Sequence, residues 1–124
     1  MTESLGDTPD RTVDLICEHD DVHATLSRYG PGRAGADLHV HHEHTDIFHV
    51  LEGELTVMLA DEDVVVGPGE LVHVPPHVVH GFRNGSDADV RFLNFHIPPC
   101  GFADYMRGLR DGVKVPFDQH PPPS

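Results

Sequence analysis

The sequence predicts an all-β domain, a barrel or sandwich of short strands with one short helix near its C-terminal end. Three observations carry that prediction. Valine is the dominant apolar residue, with 15 copies, and β-branched side chains suit a pleated, half-buried surface. Twelve glycines and 11 prolines punctuate the chain. Between residues 12 and 97, short apolar runs alternate with turn signals at short intervals, the pattern of a sandwich or barrel. A chain of 124 residues has room for one hydrophobic core and not for two.

Residues 1–11 are polar and acidic and read as a flexible arm. Residues 12–109 form the folded domain. Within it, strands are expected at Thr12–Cys17, Val22–Tyr29, Asp37–His41, Asp46–Leu51, Glu54–Ala60, Val64–Val66, Leu71–Val74, His80–Arg83 and Val90–Ile97. Gly30-Pro31-Gly32, Glu52-Gly53, Asp61-Glu62-Asp63, Gly67-Pro68-Gly69 and Pro75-Pro76 supply the turns between them. Asn84-Gly85-Ser86-Asp87 reads as a hairpin joining the last two strands. Gly101–Leu109 is the one helical segment, with Phe102, Tyr105, Met106 and Leu109 on the side that covers a barrel end. Residues 110–124 read as an extended tail.

Charge narrows the partners. Eight basic against 21 acidic residues give a formal net charge of −13, which repels nucleic-acid backbones and anionic lipid. The N-terminal residues lack the basic start and apolar stretch of a secretory signal, and no apolar run is long enough for a membrane span. A cytoplasmic protein with reduced Cys17 and Cys100 is the expectation.

The chemistry concentrates in the histidines. Of 12, four lie at positions 39, 41, 42 and 44, beside Glu43 and Asp46. Side chains two apart on a strand share a face, so His39 and His41 can reach one ion together while Val40 points away. An antiparallel neighbour brings Asp46 beside them, and His80, at the start of a later strand, supplies a third imidazole from across the barrel. Three neutral imidazoles and one carboxylate suit a divalent transition metal and leave positions open for water, substrate or dioxygen. Iron leads the expectation, with manganese, nickel, cobalt and zinc as alternatives. His42 and His44 are expected to face solvent, and His49 to serve packing or an interface. Phe92, Asn94 and His96 share one face of the last strand, and either that row or Leu93, Phe95 and Ile97 must line the interior.

At these residues the chain resembles the cupin superfamily. Its first motif reads His39-x-His41-x4-Asp46-x6-Gly53, and its second Pro75-x-His77-x2-His80-x3-Asn84. The similarity runs from about residue 22 to 98. It implies a double-stranded β-helix, a small jelly-roll barrel, with the metal held in its mouth by His39, His41, Asp46 and His80. Two positions depart from the pattern: Asp46 stands where the family has glutamate, and His77 where it has the turn glycine. The resemblance implies a metal-dependent enzyme, dioxygenase-like, acting on a small organic molecule, with Glu43 and His96 as candidates for proton transfer. An isomerase or decarboxylase, and a non-catalytic binder of a metabolite or sugar, are the alternatives. An apolar outer row at Ile47 and Leu51 suggests a homodimer.

Overall fold

The computed structural model describes residues 2–123. Nine strands and one helix follow in order: β1 (Glu3–Thr8), β2 (Arg11–Glu18), β3 (His23–Tyr29), β4 (Thr45–Glu52), β5 (Leu55–Leu59), β6 (Asp63–Val66), β7 (Leu71–Val74), β8 (His80–Arg83), β9 (Val90–Ile97) and α1 (Phe102–Asp111). Two antiparallel sheets face each other. One has the order β1-β2-β3-β9-β4-β7, the other β6-β5-β8. From β4 onward the chain passes repeatedly between the sheets, which gives the double-stranded β-helix. Strand alternation fills the space between them: Phe48 and Val50 of β4, Leu55 and Val57 of β5 and Val90 and Phe92 of β9 are all buried.

Turn chemistry works as sequence demands, with one instructive difference. Gly53 leaves β4 at φ 78°, and a β-carbon there would strike the carbonyl of Asp89. The turn at 84–87 does not make a hairpin. β8 pairs with β5, while β9 pairs with β3 and β4, so the two strands belong to different sheets. Asn84 instead acts as a buried latch, its amide donating to the carbonyls of Tyr29, Gly30 and Ala88.

Two other segments differ from the sequence reading. Residues 3–8, expected as part of a loose arm, form edge strand β1 against β2, with Leu5 buried. Arg107 and Arg110 of α1 clasp Glu3 at 2.7 and 2.8 Å. Asp37–His41 is not a continuous strand. It makes single bridges, His39 with His80 and Val40 with His120, and Gly35 and Ala36 pair with Phe82 upstream. This irregular edge runs beside β8 and brings His39 against His80.

α1 begins after Gly101 and ends at Gly112, both in the left-handed conformation, and Gly112 N–H returns to the Gly108 carbonyl. Phe102 and Met106 are buried as its sequence pattern requires, while Leu109 stays exposed.

Candidate metal centre

His39, His41, Asp46 and His80 are all buried and offer ligand atoms that lie within 4.8 Å of one another. Each backbone position has a cause. The reciprocal bridge between residues 39 and 80, with both N–H···O bonds at 2.9 Å, sets two rings 4.4 Å apart. Asp46 sits on β4 between Val74 of β7 and His96 of β9. His77, at φ 73°, adopts the conformation a glycine favours, and its N–H reaches the His41 carbonyl at 2.7 Å. The position thus keeps the glycine geometry with a histidine in it.

The hydrogen bonds fix which ring nitrogen is free. His39 Nδ1 donates to the Asp37 carbonyl at 2.6 Å, His41 Nδ1 to the Asp118 carbonyl at 2.6 Å and His80 Nδ1 to the Val78 carbonyl at 2.9 Å. A carbonyl only accepts, so each Nδ1 holds a hydrogen, and in the neutral form of each ring the Nε2 lone pair is bare and turned inward. Burial lowers the His39 pKa to about 4, which keeps that ring neutral at pH 7.

Electron pairs therefore face electron pairs. His80 Nε2 lies 3.0 Å and His41 Nε2 3.4 Å from Asp46 Oδ2, and His41 Nε2 is buried with no hydrogen-bond partner. Two donors about 2.1 Å from one ion lie about 3.0 Å apart at a right angle and about 3.4 Å apart at the tetrahedral angle. The separations match ligands that share a cation, and a cation removes the repulsion. The donor set fits a divalent transition metal.

Behind these four is a second layer that sequence reasoning missed. Asn94 of β9 donates its amide to Asp46 Oδ1, leaving Oδ2 to the histidines. His44, expected to face solvent, is 1% exposed. Its Nδ1 donates to Asp118 Oδ2 at 2.8 Å and its Nε2 lies 3.0 Å from His96 Nδ1. The tail supplies Asp118. It folds back across the loop, pairs through His120 with Val40, and accepts the N–H groups of His42 and Glu43 at 2.9 and 2.7 Å on its carboxylate. Phe117 packs on the rings of His44 and Tyr105, at 5.2 and 4.6 Å. The contacts of Asp118 with this loop span 74 to 77 residues, and no local pattern announces them.

The family model for the cupin domain matches residues 25–96, more than half of the chain. The protein belongs to the cupin family. This cupin is 32% identical over 115 residues, 93% of its length, to a protein named quercetin 2,3-dioxygenase from Bacillus subtilis (strain 168). It spans about a third (32%) of that relative. Among solved structures its fold is similar to KdgF from Halomonas sp., with a TM-score of 0.68 and 23% identity over 77% of this chain and 87% of that one. It is also similar to the polyketide cyclase RemF from Streptomyces resistomycificus, with a TM-score of 0.63 and 27% identity over 73% and 66% of the two chains.

A cavity of about 410 Å³ opens onto the histidine cluster of the cupin. The row Phe92, Asn94 and His96 lines it, which decides the facing of β9. Tyr29 lines it too, whereas Arg28 turns outward to Asp89. Phe102 stacks on His96 at 3.8 Å. Burial lowers the His96 pKa to about 3, so its ring is neutral at pH 7. Glu43 is exposed and does not line the cavity, because the loop turns its side chain outward while its N–H binds Asp118. Cys17 and Cys100 are both free thiols. Among the described residues no helix is long and apolar enough to cross a membrane.

Proposed function

We propose that His39, His41, Asp46 and His80 hold one divalent transition metal, iron first, and that the protein is a dioxygenase-type enzyme acting on a small aromatic or enol-type molecule in the cavity. The observation that carries this is the trio of Nδ1–H groups tied to carbonyls, which leaves three Nε2 lone pairs and a carboxylate aimed at one another beside an open cavity. The relative named quercetin 2,3-dioxygenase supports the choice of reaction. When bound, iron supplies Lewis-acid and redox chemistry for combining an organic substrate with dioxygen.

The chain's own groups do the rest. Asn94 fixes Asp46, the carbonyls of Asp37, Val78 and Asp118 orient the three imidazoles, and Phe82, Phe92 and Phe102 give the cavity apolar walls. His96, neutral and at the cavity wall, is the group we assign to proton handling at its Nε2. Glu43 has no access to substrate and takes no part. The free thiols accord with a cytoplasmic location. The partly exposed row of Ile47 and Leu51 supports a symmetric dimer, which light scattering at micromolar concentration checks.

The decisive experiment is elemental analysis of tag-free protein, then reconstitution and oxygen uptake with flavonols and simpler enols. The expected result is one equivalent of iron, or of manganese or nickel on reconstitution, and substrate-dependent oxygen consumption. Absence of metal after adding iron, nickel and manganese overturns the proposal.

A further inference from the structure

Arg11 is the anomaly of this acidic molecule. Among the described residues, six of the seven arginines have a carboxylate oxygen within 4.0 Å: Arg28, Arg33, Arg83, Arg91, Arg107 and Arg110. Lys114 is exposed on the surface. Arg11 is half-buried, lines the cavity and has no counter-ion. Its Nε–H donates to Tyr29 Oη at 3.0 Å, and its guanidinium carbon sits 5.5 Å from the Tyr29 ring centroid. Its two terminal amino groups make no hydrogen bond within the described residues. A cation left unpaired in a cavity, within a chain of net charge −13, stands where a ligand anion completes it.

Register shows what lies between this group and the histidines. Arg11 is opposite Tyr29, and Thr25 is opposite Asn94, the residue that holds Asp46. Four residues of β3 separate the two levels, about 13 Å at the usual strand rise. Along that wall Thr25 and Ser27 present hydroxyls to the cavity, and neither side chain makes a hydrogen bond within the described residues. Phe82 and Phe92 add flat apolar surface to the same cavity. Arg33 lies 5.9 Å from the Tyr29 ring and adds positive potential, though Asp10 neutralises part of it.

We propose that Arg11, braced by Tyr29, binds the carboxylate of the substrate, which is a small cyclic organic acid whose other end faces the histidine cluster. This rests on the reading that the cavity is the substrate site, and it adds the chemical class.

The test uses benzoate and its neutral analogue benzamide as probes, titrated calorimetrically into full-length protein, metal-free and zinc-loaded, at fixed ionic strength. Wild type should bind benzoate at least about tenfold more tightly than benzamide, since the bond to an ionised group is the stronger kind. Arg11→Gln should bring the two probes to parity. Arg11→Lys, which keeps the charge and loses the planar fork, should weaken benzoate several-fold and serves if Arg11→Gln fails to fold. Arg83→Gln, a surface arginine, should change nothing. Equal binding of the two probes by wild type overturns the proposal. So does benzoate affinity unaffected by either Arg11 substitution, or no benzoate binding at millimolar concentration. Arg11-dependent benzoate binding in a protein that takes no metal sinks the enzyme reading and leaves this site standing. Oxygen uptake without Arg11-dependence does the reverse.

Discussion

Replacing Asp118 by alanine removes an acceptor for four donors at once: His42 N–H at 2.9 Å, Glu43 N–H at 2.7 Å, His44 Nδ1 at 2.8 Å and His120 Nε2 at 3.0 Å. The last comes from a partly exposed ring that water re-solvates, so it contributes little. The other three are hydrogen bonds to a buried charge, each worth about 1.5 kcal/mol at the low end of its range. Partial hydration of the two loop N–H groups recovers some of that, and the net expected loss is about 3–4 kcal/mol. For a domain with 5–15 kcal/mol of stability in total, this is a large fraction. Urea unfolding of the metal-free protein followed by far-ultraviolet circular dichroism reads it as a fall in midpoint at constant slope. Metal affinity should fall by about tenfold as well, because the strap that holds His41 Nδ1 loosens. Asp118→Asn keeps the shape and loses the charge, so it should land between wild type and alanine. A loss below about 1 kcal/mol for Asp118→Ala would refute the claim that the strap is anchored by this carboxylate.

His80→Ala should lower zinc or nickel affinity by more than the ~10–100-fold typical of an outer-sphere partner, measured by calorimetry. Acid should destabilise the metal-free protein. The unfolded rings take up protons near pH ~6.5, whereas burial holds His39 and His96 neutral until about 4 and 3, so stability is full above pH ~6.5 and declines below it. Each ring contributes about 1.4 kcal/mol per pH unit in that window, and denaturant midpoints at pH 7.5 and 5.5 should differ in that direction. Gly53→Ala should cost about 2 kcal/mol or more, from positive φ and collision with the Asp89 carbonyl. His77→Gly should gain up to about 1 kcal/mol by relieving the same conformation, both read from urea midpoints.

The sequence made the site legible where local geometry governs it. The spacing of the two cupin-like motifs grouped His39, His41, Asp46 and His80, whose ligand atoms the fold gathers within 4.8 Å of one another, although residues 39 and 40 make single bridges instead of the strand that alternation assumed. The turn at Gly53 was readable because its signal lies within Glu52-Gly53 itself. What escaped depended on partners far along the chain. β1 holds one buried apolar residue, Leu5, and a register shift at Gly6, so its pattern carries almost no strand signal. His44 was read as a solvent-facing loop residue, but the orientation of its ring is set by Asp118, 74 residues away. The hairpin reading at Asn84–Asp87 failed because a turn motif specifies a reversal, not which sheet the next strand joins.

The strap imposes an order on biosynthesis. Seventy-seven residues separate His41 from the carbonyl that fixes its ring. At about 5–20 residues per second, the ribosome delivers position 41 some ~4–15 s before position 118. For about the first half of that interval His80 has not yet been made, and throughout it nothing holds the His41 ring, so the set of donors is unfinished. If the site takes a metal as proposed, its complete donor set exists only after the strap has left the exit tunnel and closed over the loop.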